Sequence, residues 1–235
     1  MKDNYPLVIF SEASSEDPLA AAKNIAKDLG EDCQAALFFT SSLTKLEVLG
    51  KCLNDYLPCP VVGCTTAGEI IQGLGYCDGR IVAVGFPSPE LSFEARLLKP
   101  LHEFCKNPDE FLGHIAPLPL GKKRFVFVLL DGLSGLEESA LTCLTQYFQG
   151  IPIVGGSAGD NLRFNATYVY YDGEFHTGAG LALVFDTSLY FEVLHVQNIV
   201  PSNERLVITE ADSSSRLVYE INGRPAALEY ARLLK

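Results

Sequence analysis

The chain is poor in the features that mark nucleic-acid-binding, membrane and zinc-ribbon proteins. Of its 235 residues, 18 are Lys or Arg and 29 are Asp or Glu, and the formal net charge is −11. The only basic cluster is Lys122-Lys123-Arg124. Nucleic acid and anionic membrane surfaces are therefore disfavoured as partners, because both bind concentrated positive charge. No run approaches the ~18 consecutive apolar residues of a membrane span, so we expect no membrane insertion.

The cysteines follow no familiar metal-binding or redox spacing. The chain has seven, at irregular intervals and without a Cys-x-x-Cys pair, which excludes a zinc ribbon and a thioredoxin-type motif. The first residues lead into a strand-like run without a signal-peptide core. Together these features predict a cytoplasmic protein with free thiols. The apolar content of 48% and charged content of 20% are ordinary for a globular chain.

Two stretches repeat one pattern, in which a strand-like apolar run opens into a turn of small residues. The first runs from Pro60 to Glu69 and the second from Pro152 to Asp160. Each has a β-branched run, then glycines and hydroxyls, then one carboxylate. Glycine-rich turns after strands leave backbone N–H groups open to an approaching ligand. The pair therefore predicts a cleft shared by two related halves.

The similarity extends to both sides of the turns. Apolar runs of strand length precede helix-like segments at 44–57 and 136–148. An Asp-Gly pair of the kind that closes a hairpin follows each turn; the two pairs are Asp78-Gly79 and Asp172-Gly173. Before the repeats, Asp17 and Pro18 predict a helix start, and Gly30 predicts its end. We expect an α/β fold of two repeated strand-helix-strand-hairpin-strand units, at about 31–100 and 122–195, with packed or merged mixed sheets and helices outside.

Several segments carry a resemblance to a known family. They are Val62-Gly63-Cys64-Thr65-Thr66-Ala67-Gly68-Glu69, residues 81–86, Pro152-Ile153-Val154-Gly155-Gly156-Ser157-Ala158-Gly159-Asp160, residues 178–185 and residues 218–226. They resemble the FIST family, the sensory domain named for F-box and intracellular signal transduction proteins. The resemblance implies a FIST N-terminal-like ligand-binding domain at 1–209 and, at 210–235, a truncated start of a C-terminal-like domain. It also implies a non-enzymatic sensor of a small, amino-acid-like metabolite that reports to a signalling output protein or domain.

The two turns are the predicted ligand site. Glu69 and Asp160 are expected to bind an ammonium group, while N–H groups beside Gly63 and Gly156 are expected to hold a carboxylate. Such a site would receive a zwitterion. The full set of candidate ligand-binding residues is Gly63, Cys64, Thr65, Thr66, Gly68, Glu69, Asp131, Gly155, Gly156, Ser157, Gly159, Asp160 and Arg224.

Asp131 and Arg224 enter this set for separate reasons. Asp131 follows a strand-like run, at the kind of position where ligands approach open sheets. Arg224 can present a fork of donors to a ligand carboxylate. It can equally form a salt bridge with Glu220 or Glu229, and the sequence leaves both interpretations open.

Other functions also stay open from the sequence. Residues 155–159 match the Gly-x-Ser-x-Gly elbow of a serine hydrolase using Ser157, although strand-like rather than helical residues follow. Some relatives of the FIST domain are described as haem-binding nitric oxide sensors, which would require an axial ligand among His102, His114, His176 and His195. A protein-interaction scaffold with purely structural turns is a further alternative. Cys64 is best interpreted as a small packed residue. We expect no enzyme activity, metal or resident cofactor, with haem kept as an alternative.

Overall fold

The computed structural model describes residues 8–197, 200–201, 203–213 and 215–233. The chain divides into two compact units, one ending at Phe191 and one beginning at Glu192. The predicted division between two FIST portions, at 209/210, stays a prediction. The outer ends of the predicted domain ranges, residues 1–7 and 234–235, lie outside the described residues.

The described residues form six helices and four sheets. In the first unit the strands are β1 (Ile9–Ser14), β2 (Ala36–Ser41), β3 (Val61–Thr66), β4 (Glu69–Ile71), β5 (Gly75–Cys77), β6 (Arg80–Gly85), β7 (Leu91–Leu98), β8 (Lys123–Leu130), β9 (Ile153–Ser157), β10 (Val169–Tyr171), β11 (Glu174–His176) and β12 (Gly180–Thr187). Its helices are α1 (Pro18–Leu29), α2 (Leu46–Tyr56), α3 (Leu101–Phe104), α4 (Pro108–Leu112) and α5 (Glu137–Tyr147). The second unit contains β13 (Ile208–Asp212), β14 (Leu217–Ile221), β15 (Arg224–Pro225) and α6 (Ala226–Leu233).

The first unit is built on two mixed sheets. One has the order β1-β6-β2-β3-β10-β11 and the other β7-β12-β8-β9. In the first sheet β2 runs parallel to β3 and antiparallel to β6. In the second, β8 runs parallel to β9 and antiparallel to β12. Three neighbouring strands of each sheet therefore share one pairing pattern, and β4 with β5 forms a separate two-stranded sheet.

The two sheets pack face to face with helices outside. Leu37 and Cys64 of the first sheet share a buried core with Leu181 and Leu183 of the second. The opposite face of the first sheet packs against α1 and α2, and the opposite face of the second packs against α3, α4 and α5. Because β2 is covered on both faces, it reads as a continuous apolar run rather than an alternating one. The α/β class with mixed sheets is confirmed.

Local sequence signals account for several element boundaries. The Asp17 carboxylate accepts hydrogen bonds from the N–H groups of Leu19 and Ala20, each at 3.1 Å, and caps α1 as predicted. Gly30, at φ 73°, follows the last residue of that helix. Asp172 and Gly173, at φ 49° and 86°, close the β10–β11 hairpin as predicted.

The other Asp-Gly pair has a different role. Asp78-Gly79 lies between β5 and β6, whereas the β4–β5 hairpin closes earlier, around Gly73 at φ 83°. Glycine at that position provides the positive φ that a tight hairpin turn requires. The same dipeptide therefore does not mark equivalent hairpins in the two halves.

The cysteines differ from the sequence prediction. Cys105, at the end of α3, and Cys143, on α5, form a disulfide with a Cα–Cα distance of 5.7 Å. The expectation that all seven are free thiols is wrong for this pair, because helix packing joins residues whose sequence spacing gives no signal. Cys33, Cys52 and Cys59 are free, as are Cys64 and Cys77. Within the described ranges, no helix combines the length and apolar character that crossing a bilayer would require.

Candidate ligand pocket

The first small-residue turn opens onto a pocket of about 640 Å³. A volume of this size suits a small-molecule ligand. The pocket is lined by Phe10, Ser11, Glu12, Phe39, Thr66, Gly68, Glu69, Ile70, Ile71, Gln72, Val82 and Val84. One wall comes from β1, β2 and β6 of the first sheet, and the other comes from the turn after β3 and the β4–β5 hairpin.

The sheet wall of the pocket is apolar. Phe39 and Val84 extend the core between the two sheets, and Phe10 is paired with Val84 in the antiparallel register of β1 and β6. Phe10 is 69% exposed and Ile70 of the hairpin is 80% exposed, so an apolar surface continues to the mouth. The walls can therefore contact the apolar body of a ligand, which gains free energy by leaving water.

Glu69 places a carboxylate in this apolar pocket. The residue is only 3% exposed. Its Oε1 lies 2.5 Å from Thr66 Oγ1, and its Oε2 accepts the backbone N–H of Arg80 at 3.2 Å. Burial raises the pKa of Glu69, and nearby Asp78 adds to the increase, although the bonds from Thr66 and Arg80 oppose it. Each carboxylate oxygen can accept a second donor, so an ammonium group could bind here and offset the cost of burying the charge.

Tyr76 fixes the hairpin against the turn. Its hydroxyl donates to the Ala67 carbonyl, and its ring packs on Gly68 so closely that a Cβ on that glycine would lie 2.3 Å from the ring. Gly68 also has φ 120°, a conformation that favours glycine. At the pocket rim Glu12 forms an ion pair with Arg80. Glycine in this turn therefore serves close packing of the hairpin.

The second turn contacts the first instead of facing it across a cleft. The Gly159 N–H donates to the Thr65 carbonyl at 2.9 Å, and a Cβ on Gly159 would lie 2.7 Å from the Ala67 nitrogen. Among the described residues, the space between the turns is filled by their own backbone. The hollow expected between them is therefore corrected to a pocket beside the first turn alone.

Gly155, Gly156 and Ser157 lie apart from this pocket. They belong to β9, which is the last strand of its sheet in the described chain, and all three are exposed. None is among the residues that line the pocket. These three residues are exposed at this edge of the sheet, whereas the walls of the pocket are formed by the first sheet, the first turn and the β4–β5 hairpin.

Asp160 is bound to its own loop. Its carboxylate accepts the backbone N–H groups of residues 163–166, at 2.6 to 3.3 Å. Burial opposes ionisation, but the four donors hold the pKa of Asp160 below its usual value. A carboxylate accepting several N–H bonds strongly favours its charged form. Asp160 therefore organises the loop after β9, and the structure does not bring it together with Glu69.

Asp131 has a similar structural role at the end of β8. The residue is 5% exposed, and its carboxylate accepts hydrogen bonds from the Thr167 hydroxyl and from the N–H groups of Leu133 and Gly178. The bond from Leu133 is local, whereas the other two join the end of β8 to residues 36 and 47 positions further along the chain. Asp131 is thus enclosed by protein donors, in contrast to Glu69.

Gly63, Cys64 and Thr65 lie inside β3. A Cβ on Gly63 would lie 2.2 Å from the Phe38 carbonyl oxygen. Cys64 is 2% exposed, and burial raises its pKa to about 12, which fits the small packed residue expected from the sequence. Thr65 donates its N–H to the Tyr168 carbonyl at 2.9 Å and accepts the Tyr168 N–H through Oγ1 at 3.0 Å. These residues lie within β3 of the sheet whose other strands form one wall of the pocket.

Arg224 belongs to the second unit. Its Nη1 lies 3.7 Å from Glu229 Oε2, which agrees with the salt-bridge alternative for this residue. Glu229 also accepts two hydrogen bonds from Arg232, at 2.8 and 2.9 Å, and one from Asn222 at 3.2 Å. This network anchors α6 to the turn before it.

The geometry around Ser157 lacks the elements expected of a nucleophile elbow. The residues after Ser157 form an irregular segment up to β10, whereas an elbow serine is followed by a helix.

His176 Nδ1 lies 3.0 Å from Lys99 Nζ. The described residues lining the candidate pocket include no histidine, so they do not fit a haem with a histidine axial ligand.

Sequence reasoning found Thr66, Gly68 and Glu69 but missed the sheet wall. The predicted ligand site does not include Phe39, Val82 or Val84, which line the pocket. Alternation along β6 could have indicated that Val82 and Val84 share a face. Nothing local in the sequence shows that the β4–β5 hairpin stands opposite that face.

Comparison with known proteins identifies the family. The FIST N domain matches residues 34–224. The uncharacterized protein MJ1623 of Methanocaldococcus jannaschii is 29% identical over 240 residues, which cover 93% of this chain and 44% of that protein. This chain thus spans less than half the length of that relative. The crystal structure of the cyanuric acid hydrolase from A. caulinodans aligns with 78% of this chain and 72% of its own at 11% identity, with a TM-score of 0.36, too low to establish a common fold. Because the FIST N domain covers most of the sequence, this protein belongs to the FIST family of sensory domains.

Proposed function

We propose that this protein is a cytoplasmic, non-enzymatic sensory domain that binds a small amine in the pocket beside the first turn. The observation that carries the proposal is Glu69, a carboxylate only 3% exposed in a pocket with largely apolar walls. Burying a carboxylate is costly unless it is paired or hydrogen-bonded. Its two hydrogen bonds offset part of this cost, and a cationic ligand would offset more.

The pocket chemistry supports an amino-acid-like ligand within this class. The ammonium group would bind Glu69, and the apolar body would contact Phe39, Val82 and Val84. Gln72 lines the same pocket, and its side-chain amide can donate to a ligand carboxylate. Both ends of a zwitterion would then have a counterpart in one pocket.

The β4–β5 hairpin offers a route from binding to signalling. It forms one wall of the pocket, while the sheet forms the other. A ligand that contacts both would favour one position of the hairpin, and an output protein or domain could bind that position. Such coupling is typically ~1–3 kcal/mol. The shared pairing pattern of the two sheets supports our interpretation that the halves are related, although only the first turn contributes to this pocket.

A thermal-shift screen of amines and amino acids tests the proposal. A ligand that binds the folded protein raises Tm by mass action, and we expect Glu69→Gln to remove that increase. Glu31→Gln is the matched control, because Glu31 is exposed and outside the pocket lining. An equal increase in Glu69→Gln would contradict the assigned site. Indifference to every compound would favour the scaffold alternative, and a Soret band in the purified protein would favour haem.

A further inference from the structure

Two free cysteines meet where two parallel strands begin. Cys33 precedes β2 and Cys59 precedes β3, and the register of these strands places Ala36 opposite Val61. Residues shortly before each strand are therefore neighbours. The sulfur atoms of Cys33 and Cys59 lie 3.3 Å apart, and the residues are 4% and 9% exposed.

The two thiols form a hydrogen-bonded chain. Cys59 donates to Cys33 Sγ, and Cys33 Sγ lies 3.2 Å from the Ala35 carbonyl oxygen, to which the thiol donates. The bond from Cys59 lowers the pKa of Cys33, while the same bond and burial raise the pKa of Cys59. Loss of one proton from such a pair leaves the second shared between two sulfurs. A thiolate is the nucleophilic form of cysteine.

A small reagent can reach the Cys59 side of this pair. Cys59 lines a pocket of about 360 Å³, together with residues that include Asn54, Pro60 and Asp172. This pocket shares no lining residue with the pocket that contains Glu69. A reaction of the two thiols can therefore be measured independently of ligand binding at Glu69.

We propose that Cys33 and Cys59 form a reversible oxidation site whose co-substrate is a hydroperoxide. The thiolate of the pair attacks the terminal peroxide oxygen, so that an S–O bond forms and the O–O bond breaks. The alkoxide that leaves is protonated to an alcohol, and with hydrogen peroxide the hydroxide that leaves is protonated to water. The second cysteine then attacks the sulfenic sulfur, an S–S bond forms, and the departing hydroxide takes up its proton. With hydrogen peroxide, two thiols become one disulfide and two waters are released.

The geometry favours this pair over the other cysteines. The sulfurs must approach from 3.3 Å to the disulfide length of about 2.0 Å, so a small movement of two loops is sufficient. Cys64 is 2% exposed and burial raises its pKa to about 12, which leaves little thiolate. Cys105 and Cys143 are already joined to each other.

Mass spectrometry of the full chain tests the proposal. The reduced, folded protein is treated with hydrogen peroxide, unfolded, alkylated with iodoacetamide and fragmented. We expect a Cys33–Cys59 crosslink, lighter than the two thiols by two hydrogen atoms and reopened by dithiothreitol, whereas Cys64 becomes alkylated. Alkylation of Cys33 and Cys59 to the same extent as Cys64 would overturn the proposal.

Single variants separate the crosslink from general oxidation. Cys33→Ser and Cys59→Ser each leave one thiol of the pair, which we expect to be trapped by dimedone as a sulfenic acid without a crosslink. Cys52→Ser is the matched control, because Cys52 is a free cysteine that is more exposed than either member of the pair, and this variant should retain the Cys33–Cys59 crosslink. A crosslink between Cys59 and Cys52 in the unmodified protein would show that Cys59 forms its disulfide with Cys52 instead of Cys33, and would refute the proposed pair. The mapping in the unmodified protein does not depend on any variant being folded.

Discussion

Gly63 and Gly156 each lie in one of the two repeated stretches, although Gly155 is the residue that aligns with Gly63, and the structure predicts different responses to alanine at 63 and 156. In β3, the Cβ of an alanine at 63 would lie 2.2 Å from the Phe38 carbonyl oxygen and 2.6 Å from the Phe38 ring. Phe38 is fully buried, so its ring has no free space to enter, and the paired strands would have to move apart. Overpacking costs typically 1–3 kcal/mol, and because this clash involves the backbone, we expect the variant to lose about 3 kcal/mol of stability. At about 2–4 °C per kcal/mol for a chain of this size, Tm should fall by roughly 6–12 °C.

The matched variant is Gly156→Ala on the exposed edge strand β9. A Cβ on Gly156 would meet no atom within 4 Å, so its Tm should change by no more than about 2 °C, in line with exposed substitutions worth about 0.5 kcal/mol. Thermal unfolding followed by circular dichroism measures both variants. Equal losses of Tm, or an unchanged Tm for Gly63→Ala, would refute the reasoning that β3 is closed to any side chain at this position.

Further predictions concern protonation and the disulfide. Amine binding measured by calorimetry should weaken as the pH falls through the pKa of Glu69. Because this pKa is raised, the loss of affinity should begin above the ordinary glutamate pKa of about 4.3. An affinity that stays constant over this pH range would exclude Glu69 as the partner of the amine. Because the folded-state pKa of Asp160 is lowered, its stabilisation is present above the unfolded-state pKa and lost as pH falls through the folded-state pKa. Asp160→Asn should accordingly make residues 161–166 more susceptible to limited proteolysis at neutral pH, and unchanged cleavage would contradict its role in the loop. The Cys105–Cys143 disulfide closes a loop with a sequence separation of 38, and its reduction should lower the free energy of unfolding by about 4 kcal/mol, because the unfolded chain regains loop entropy. Dithiothreitol should therefore lower the Tm of the unmodified protein but not that of Cys105→Ser.

Local signals predicted the elements where the controlling interactions are themselves local. The Asp17 side chain caps α1 from within one helical turn, and Asp172-Gly173 supplies both positive φ values for the β10–β11 turn. Such signals depend on a residue and its immediate neighbours. They are therefore visible in one sequence.

The site depended on contacts between distant residues. Gly63 and Gly155 follow similar apolar runs, yet β10 covers the edge of β3 while β9 ends its sheet in the described chain. Likewise, Glu69 and Asp160 both follow small-residue turns, but of the two only Glu69 lines the pocket. The carboxylate of Asp160 instead accepts the backbone N–H groups of residues 163–166. Sheet pairing and loop closure decide these differences, and sequence periodicity does not encode which strands become neighbours.

A crystal structure of the protein with an amine selected by thermal shift tests the central claim most directly. We expect the ligand between the β4–β5 hairpin and the sheet, with its amino nitrogen at hydrogen-bonding distance, about 3 Å, from a Glu69 carboxylate oxygen. Its apolar part should contact Phe39 and Val84. A ligand bound at the exposed edge of β9, with the pocket beside Glu69 empty, would contradict the account.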